Sequence, residues 1–355
     1  MTLLISNTVA AILEKSHDLL LVDVIDLPSD LLSGQVLVEV ITSGLCGAQI
    51  NEIEAIKGPD KFLPHLLGHE GFASVLQIGP GVTTVAVGDQ VVMHWRPGKG
   101  IQSRPPVYKY RGNTLNAGWV TTFNNHAIVS ENRITKIPNS SHDKNVIPLL
   151  GCALTTALGV LENDAQIIPS DSLLIFGAGG VGLLLIKLAK VLGITDITVV
   201  DIHEEKLKKA SDLGASKTFV FTDKDQTIHS LLEFFSLQFP TVAIDTTGNK
   251  SAIEICYEIS APNARVILVG VPKKGVKVNI YTLPLHFGKL LKGSEGGQSK
   301  PEKDIPYLLK LIEEDKLDFI DYPTKRFSIN QINDAISQLK DGALGRMIID
   351  FTESK

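Results

Sequence analysis

The sequence has few cysteines and no long apolar run. Only three of its 355 residues are cysteine. That is too few for a disulfide framework, so metal binding or catalysis in a reducing cytoplasm fits them better. No apolar stretch approaches the roughly 20 residues that a transmembrane helix needs, so no membrane span is predicted. The apolar residues near the amino terminus lack a preceding basic segment, and we interpret them as a first strand and not as a signal peptide.

The chain also lacks a basic surplus. Its formal net charge is −5, which gives no reason to expect a nucleic acid or an anionic membrane as partner. One segment is nevertheless positively charged, because no acidic residue occurs between Gln90 and Ser130. Glycine and proline predict a long loop at 96–118, which carries the basic residues Arg96, Lys99, Arg104, Lys109 and Arg111. They are interpreted either as a solvated or subunit-facing surface or as a site for an anionic substrate.

The length predicts about two domains, and the sequence pattern changes near residue 170. Before that point, short apolar runs at 36–40, 71–78 and 82–92 alternate with glycine turns, which is typical of a small barrel or sandwich. After it, strands and helices alternate, which predicts a parallel sheet with helices on both faces. The predicted elements are strands at 172–176, 197–200, 219–221, 242–245, 265–269 and 347–351 and helices at 181–192, 204–213, 304–314 and 330–340.

A glycine-rich loop lies between the first strand and the first helix of this sheet. The segment 177–182 fits G-x-G-x-x-G, and Asp201 ends the next strand 19 residues after Gly182. Glycines there provide a tight turn and a close approach to a pyrophosphate, which the helix amino terminus binds. Asp201 would accept bonds from both ribose hydroxyls and repel a 2′-phosphate, so NAD is predicted over NADP, with Lys206 near the same ribose. The other interpretation is a glycine turn that binds no nucleotide.

Two cysteines and one histidine form a candidate metal shell. Cys46, His69 and Cys152 are each flanked by glycine, which permits backbone kinks that direct side chains to one point. One imidazole and two thiolates with one open position are a typical ligand set of a catalytic zinc. Each residue alone is also explained as buried core. Glu70 would lie behind the ligands or act as an alternative ligand, and Cys256, within a helical apolar pattern, is predicted to be core.

As a set, these motifs resemble those of the zinc-type medium-chain dehydrogenases/reductases, the alcohol dehydrogenase superfamily. The similarity extends over nearly the whole chain and includes the segments at 44–47, 68–71, 87–91, 151–152, 177–182, 269–272 and 345–349. The resemblance implies an α/β protein in which a Rossmann NAD-binding domain at 154–296 holds a doubly wound parallel sheet. It further implies a β-rich GroES-like catalytic domain at 1–153 and 297–355, and a homodimer or homotetramer.

The resemblance also implies roles for single residues. Cys46, His69 and Cys152 would bind zinc, with Glu70 among the catalytic residues beside them. The residues expected at the nucleotide are Thr156, Gly177, Gly179, Gly180, Val181, Gly182, Asp201, Lys206, Val269, Val271 and Arg346, the last of them facing the pyrophosphate. Those expected at the substrate are Ala48, Asn51, His94 and Trp95. The long loop lacks the four cysteines with which many members bind a structural zinc, so one zinc ion per chain is predicted.

Three residues that follow the first ligand, Cys46, depart from the family pattern. The family usually has Ser or Thr where this chain has Ala48, and alcohol dehydrogenases often have His where it has Asn51. Both positions normally carry the proton away from the substrate. Gln49 stands where an Asp usually orients the histidine ligand, and it is a neutral, weaker acceptor. The zinc shell is therefore predicted to be intact without the usual proton path, so another group, water or the substrate itself would move the proton.

The sequence thus predicts a zinc-dependent enzyme that transfers hydride between NAD and an alcohol or polyol. A sugar derivative or an anionic compound is included among the predicted substrates. Two alternatives stay open. One is a zinc-independent, quinone-reductase-like member of the superfamily. The other is a nucleotide-binding protein whose active site has decayed, which Ala48, Gln49 and Asn51 favour.

Overall fold

The computed structural model describes residues 2–139, 143–236 and 238–352. The chain divides into two compact units. Unit 1 contains Met1–Thr155, Lys300–Leu309 and Pro323–Lys355, and unit 2 contains Thr156–Ser299 and Lys310–Tyr322. None of the helices in these ranges is long and apolar enough to cross a membrane.

Strands and helices follow one another along the chain. The strands are β1 (Asn7–Leu13), β2 (Leu21–Asp26), β3 (Gln35–Leu45), β4 (His65–Leu66), β5 (Glu70–Ile78), β6 (Gln90–His94), β7 (Tyr108–Tyr110), β8 (Asn113–Leu115), β9 (His126–Ser130), β10 (Ile134–Lys136), β11 (Ser172–Phe176), β12 (Asp196–Asp201), β13 (Lys217–Val220), β14 (Val242–Asp245), β15 (Arg265–Leu268), β16 (Leu290–Gly293), β17 (Thr324–Ser328) and β18 (Arg346–Asp350). The α-helices are α1 (Gly47–Ile53), α2 (Ala153–Gly159), α3 (Gly180–Val191), α4 (Glu204–Asp212), α5 (Lys224–Phe235), α6 (Lys250–Glu258), α7 (Pro301–Glu313) and α8 (Ile332–Lys340).

Unit 1 is built from two sheets. One has the strand order β4-β1-β2-β7-β8, and the other has the order β10-β6-β5-β3-β18-β17, with β9 also paired to β3. The long strand β3 therefore pairs with β5, β9 and β18. It is buried along most of its length, because side chains from both of its faces enter hydrophobic clusters. The β-rich architecture predicted for this part of the chain is confirmed.

Unit 2 contains a parallel sheet of strand order β13-β12-β11-β14-β15-β16. Counted within the sheet this order is 3-2-1-4-5-6, which is the doubly wound arrangement of dinucleotide-binding folds. The central strands are continuous apolar runs, since parallel sheets of this kind are covered on both faces. Leu173 to Phe176 and Val242 to Ile244 are accordingly buried. The predicted α/β fold class is confirmed.

Two local predictions in unit 1 need correction. The apolar run at 82–92 forms a strand only from Gln90 onward, since the residues before it make turns. Gly88 has φ +88°, and the Asp89 carboxylate accepts a hydrogen bond from the Ala86 amide at 2.8 Å, a local bond that competes with strand pairing. The loop predicted at 96–118 contains a hairpin of β7 and β8, whose turn residues Arg111 and Gly112 both have positive φ.

Candidate metal centre and nucleotide site

The side chains of Cys46, His69 and Cys152 converge in unit 1. Their candidate ligand atoms, two sulfurs and one ring nitrogen, lie within 4.8 Å of one another. Cys46 lies between β3 and α1, His69 between β4 and β5, and Cys152 directly before α2. Two thiolates and an imidazole suit Zn²⁺ and leave a fourth position for solvent or substrate. Residues that are far apart in the sequence thus form one donor set that fits a single zinc ion.

Glycine next to the ligands is required by the packing of the strands. A Cβ atom at Gly151 would lie 2.1 Å from the Met93 carbonyl oxygen and 3.0 Å from Cα of Glu70. Gly68 has φ +87°, and a Cβ atom there would lie 2.2 Å from the Thr122 hydroxyl oxygen. Neither contact is possible for a residue with a side chain. Gly151 therefore lets the chain bring Cys152 against β5 and β6, and Gly68 lets it bring His69 against the segment of Thr122 and Phe123.

The two cysteines influence each other. A hydrogen bond from Cys152 holds the pKa of Cys46 well below its usual range, and hydrogen bonding and charge from His69 act in the same direction. The same hydrogen bond raises the pKa of Cys152, and burial adds to that effect. One thiol of the pair therefore ionises readily, and a bound divalent cation would favour ionisation of the other.

Gln49 contacts the imidazole of the shell from behind. Its Nε2 atom lies 2.6 Å from Nδ1 of His69, and its Oε1 atom accepts a hydrogen bond from the Gly68 amide at 2.7 Å. Only 3% of Gln49 is exposed. Since Nδ1 of His69 is engaged by Gln49, Nε2 is the ring nitrogen available to a metal.

Glu70 forms a buried ion pair with Arg346. The Arg346 guanidinium donates to Oε1 of Glu70, and Oε2 accepts from the Ala153 amide at 3.2 Å. Burial raises the pKa of Glu70, and the positive charge of Arg346 opposes that rise. Among the described residues the ligand group contains Cys46, His69 and Cys152 but not Glu70. Glu70 therefore lies behind the metal shell as the partner of Arg346, and the role of Arg346 toward a pyrophosphate stays a prediction.

The residues predicted to line a substrate pocket lie on different elements. Ala48 and Asn51 are both on α1, the first exposed and the second partly buried. His94 ends β6 and is 1% exposed. Its Nδ1 atom donates to the Arg96 carbonyl at 2.7 Å, and its Nε2 atom accepts from the Thr135 hydroxyl at 2.9 Å. Both nitrogens are thus engaged within unit 1, and a role of His94 toward a substrate stays a prediction.

The basic segment after β6 is partly engaged with neighbouring side chains. The Arg111 guanidinium lies 3.3 Å from the Asp23 carboxylate and 4.7 Å from the centre of the Tyr110 ring. The Arg96 guanidinium lies 5.4 Å from the centre of the Trp95 ring, and Trp95 is partly buried. These contacts hold two of the basic side chains within unit 1. An anion site in this segment stays a prediction.

A second group of possible ligands was not predicted from the sequence. One ligand atom from each of Glu52, Asp60 and His65 lies within 4.8 Å of the other two. Nε2 of His65 is 2.7 Å from Oδ2 of Asp60, and Nδ1 of His65 donates to the Leu66 carbonyl at 2.9 Å. Desolvation raises the pKa of Glu52, while the nearby charges of His65 and His69 lower it. These residues lie on α1, the following turn and β4, and no sequence motif connects them.

The glycine-rich loop joins β11 to α3 in unit 2. A Cβ atom at Gly182 would lie 1.9 Å from the Gly177 carbonyl oxygen, so the helix can approach the end of the strand only with glycine at this position. At Gly179, which caps α3, nothing lies within 4 Å of the position of a Cβ atom. There is thus room beside Gly179 at the start of α3, and the first amides of a helix are the donors that suit a phosphate group.

Asp201 at the end of β12 connects to this loop. One carboxylate oxygen accepts from the Ala178 amide at 2.7 Å, and the other accepts from the His203 amide at 2.9 Å. Each oxygen keeps a further lone pair for a ligand hydroxyl. The remaining residues predicted at the nucleotide, apart from Arg346, also lie in unit 2: Thr156, Gly180, Val181, Lys206, Val269 and Val271.

Two family models match the chain. The model described as alcohol dehydrogenase GroES-like domain matches residues 32–139, and the model described as zinc-binding dehydrogenase matches residues 180–314. Together they span more than half of the chain. A curated relative, S-(hydroxymethyl)glutathione dehydrogenase of Escherichia coli O1:K1, is 26% identical over 356 residues, which cover 90% of this chain and 93% of that protein.

Solved structures show the same fold. Benzyl alcohol dehydrogenase from Acinetobacter calcoaceticus matches with a TM-score of 0.86 and 24% identity, covering 98% of this chain and 99% of that one. A short chain alcohol dehydrogenase from Escherichia coli CFT073, solved with the cofactor NADH, matches with a TM-score of 0.79 and 20% identity, covering 98% and 100%. With both family models on its two units, the chain belongs to the zinc-type medium-chain dehydrogenase/reductase superfamily, which is that of the alcohol dehydrogenases.

Proposed function

We propose that this protein is an NAD-dependent alcohol or polyol dehydrogenase that uses one zinc ion per chain. The observation that carries the proposal is the convergence of Cys46, His69 and Cys152 within 4.8 Å. The loop at 96–118 contains no cysteine, which favours a single zinc ion. When bound, zinc would polarise the oxygen of the alcohol, and NAD would accept the hydride.

The residues of unit 1 would hold the metal and fix its ligands. Cys46 and Cys152 would supply two thiolates and His69 would supply Nε2, while the Gln49 amide fixes the plane of the His69 ring through Nδ1. The pair of Glu70 and Arg346 is buried behind the ligands and places a fixed dipole there. A donor set placed in this way would hold the metal that binds the substrate oxygen, which is the main contribution of such a scaffold.

The residues of unit 2 would bind the nucleotide. The amino terminus of α3 offers amides and a positive dipole to the pyrophosphate, and Gly179 leaves the approach open. The free lone pairs of Asp201 would accept the hydroxyls of the adenosine ribose and disfavour a 2′-phosphate, so we propose NAD and not NADP.

The substrate is proposed at the level of a class. The relatives are named for S-(hydroxymethyl)glutathione and for benzyl alcohol, which share a hydroxymethyl group on a larger body. We propose a primary or secondary alcohol, with polyols and anionic alcohols as further candidates because of the basic segment after β6. We also propose a self-associating protein of the cytoplasm, where the two cysteine ligands would stay reduced.

Metal analysis and a substrate screen test the proposal together. Wild-type protein purified with zinc in the medium should contain about one zinc ion per chain and should reduce NAD with at least one alcohol of the panel. Cys152→Ala should lose the zinc and the turnover but keep NAD binding, because the glycine loop lies in unit 2. Cys256→Ala is the matched control, since Cys256 is buried among the apolar residues of unit 2 and should leave the zinc content unchanged.

Each alternative function predicts a different result of the metal analysis and the substrate screen. Turnover with no zinc in the wild type would favour a zinc-independent, quinone-reductase-like enzyme. NAD binding without turnover of any alcohol, polyol or sugar phosphate would favour the nucleotide-binding protein. Either result would overturn the proposed zinc-dependent dehydrogenase.

A further inference from the structure

The orientation of the Gln49 amide is determined by a neighbour that can only donate. The Gly68 backbone N–H lies 2.7 Å from Oε1 of Gln49. A backbone amide has no acceptor function at nitrogen, so the oxygen of the side-chain amide must face it. The other end of the amide, Nε2, then lies 2.6 Å from Nδ1 of His69.

This orientation selects one tautomer of His69. The nitrogen of a carboxamide donates hydrogen bonds and does not accept them. Nδ1 of His69 must therefore be the acceptor, and the single ring proton of the neutral imidazole belongs on Nε2. A metal binds a ring nitrogen that carries no proton. Since Gln49 engages Nδ1, the nitrogen left for a metal is Nε2. In this tautomer Nε2 carries the ring proton.

Metal binding through Nε2 would change Nδ1 from a hydrogen-bond acceptor into a donor. That nitrogen would then carry the proton and need an acceptor, which Gln49 can provide only if its amide turns over. The turned amide would point its NH₂ group at the Gly68 N–H, so two donors would face each other. Gln49 is almost fully buried, where an unpaired donor is costly. One amide cannot satisfy Gly68 and a metal-bound His69 at the same time.

We propose that Gln49 is a positioning residue that weakens zinc binding at the Cys46–His69–Cys152 site, because its amide holds His69 in the tautomer that opposes ligation. The zinc ion of this protein would then exchange more readily than in a relative with a carboxylate at this position, and enzyme activity would follow the availability of free zinc. The identity of the metal rests on the proposed function, whereas the tautomer of His69 does not.

The variant Gln49→Glu tests the proposal with almost no change of shape. A carboxylate has two accepting oxygens, so one can accept from Gly68 and the other from Nδ1–H of His69. Zinc affinity, measured by competition with a chromophoric chelator, should increase by roughly 10- to 100-fold, the usual size of effects from groups that orient a ligand. Gln49→Asp is the second variant and should shift the affinity in the same direction if Gln49→Glu does not fold.

A spectroscopic measurement on the metal-free protein tests the tautomer directly. In protein with ¹⁵N-labelled histidine, the His69 signals, assigned by their loss in His69→Ala, should show the proton on Nε2 in the wild type. They should show it on Nδ1 in Gln49→Glu. A purely structural role of Gln49 would change the stability of unit 1 but would leave the tautomer and the zinc affinity as they are.

Gln77→Glu is the matched control. Gln77 is also buried on a strand of unit 1, accepts from the Leu4 amide at 3.1 Å and donates to the Thr2 carbonyl at 2.8 Å. This variant should leave the zinc affinity unchanged. An unchanged or weaker affinity in Gln49→Glu, or a wild-type His69 protonated on Nδ1, would overturn the inference. If neither protein binds zinc, the proposed zinc centre fails and the tautomer measurement alone decides the role of Gln49.

Discussion

At the scale of single residues, His94 shows how burial and hydrogen bonds fix the protonation of an imidazole. Its Nδ1 atom donates to a carbonyl and its Nε2 atom accepts from the Thr135 hydroxyl, so the neutral ring satisfies both neighbours. Burial lowers the pKa of His94 to about 4, with the Arg133 charge acting in the same direction against a hydrogen bond to the Arg96 carbonyl. A protonated ring would lose the bond from Thr135, since both nitrogens would then be donors.

The lower pKa of His94 in the folded protein than in the unfolded chain predicts a loss of stability in acid. The pKa of an unfolded histidine is about 6.5, so between pH 6.5 and pH 4 the unfolded chain binds the proton and the folded chain does not. The contribution of His94 is therefore complete above about pH 6.5 and decreases as the pH falls toward 4. The expected decrease is about 2 kcal/mol in the free energy of unfolding between pH 7 and pH 5.

Denaturant titrations at the two pH values measure this contribution. His94→Gln removes the titrating group but keeps a donor and an acceptor, so its stability should fall by about 2 kcal/mol less than that of the wild type over this interval. His229→Gln, at an exposed histidine of α5, is the control and should keep the wild-type pH dependence. Equal pH dependence in His94→Gln and the wild type would contradict the assignment.

At the scale of secondary structure, helix α1 concentrates the departures from the family pattern. It carries Ala48, Gln49 and Asn51 within its seven residues. Glu52 lies three residues after Gln49, so the two side chains share one face of the helix, and Gln49 contacts His69. The helix that lacks the usual hydroxyl and imidazole therefore presents a carboxylate one turn after Gln49. Glu52 also lies within 4.8 Å of the pair of His65 and Asp60.

We predict that Glu52 accepts the proton of the substrate and releases it to solvent, to which its side chain is exposed. Desolvation raises the pKa of Glu52, so alcohol oxidation should slow as the pH falls and the carboxylate is protonated. Glu52→Gln should lower kcat by roughly 10²-fold, the lower end of the range for a general base, and should remove this pH dependence.

Steady-state kinetics across pH measure the effect. Glu54→Gln is the control, because Glu54 directly follows α1 but pairs at the surface with His17 and Lys340. The control should keep the wild-type kcat and pH profile. A Glu52→Gln variant with the wild-type pH profile would show that the proton takes another route.

Burial of strands and the conformation of turns explain which secondary-structure elements could be predicted from the sequence. The central strands of unit 2 were predictable because strands that are buried on both faces are continuous apolar runs. The edge strand β16 was not predicted, since it has only four residues and none of them is fully buried. The β7–β8 hairpin was also missed, because its turn uses Arg111 at φ +50°, a conformation that an arginine in the sequence does not indicate.

The candidate site was predictable only in part, because the sequence shows its residue types but not the contacts that turns and strand pairing create. Cys46, His69 and Cys152 combine unusual residue types with neighbouring glycines, so they could be found in the sequence. The proximity of Glu52 to His65 depends on the turn between α1 and β4, and residue types alone do not determine the path of such a turn. The buried pair of Glu70 and Arg346 joins residues 276 positions apart, and only the pairing of β18 with β3 brings them to the same sheet.

At the scale of the whole molecule, one edge of the sheet in unit 2 is open and apolar. In the ranges that the structure describes, β16 pairs with β15 and ends the sheet. The segment that leads into β16 and the first residue of this strand expose a series of large apolar side chains: Val276, Tyr281, Leu283, Leu285, Phe287 and Leu290. An open strand edge beside exposed apolar residues is a typical surface for association with another chain. This edge is therefore where we expect the proposed self-association to occur.

A single charge at this edge should separate the subunits. Phe287 is 73% exposed, so Phe287→Asp should leave the fold of the subunit intact while placing an unpaired charge in the interface, where it would lose its hydration. Light scattering after gel filtration should give the wild type at least twice the 38.4 kDa of one chain, and the variant should approach the mass of one chain. Ile320→Asp is the matched control, because Ile320 is 91% exposed and lies outside the segment that leads into β16. A monomeric wild type would refute self-association, whereas an unchanged mass in Phe287→Asp would place the interface elsewhere.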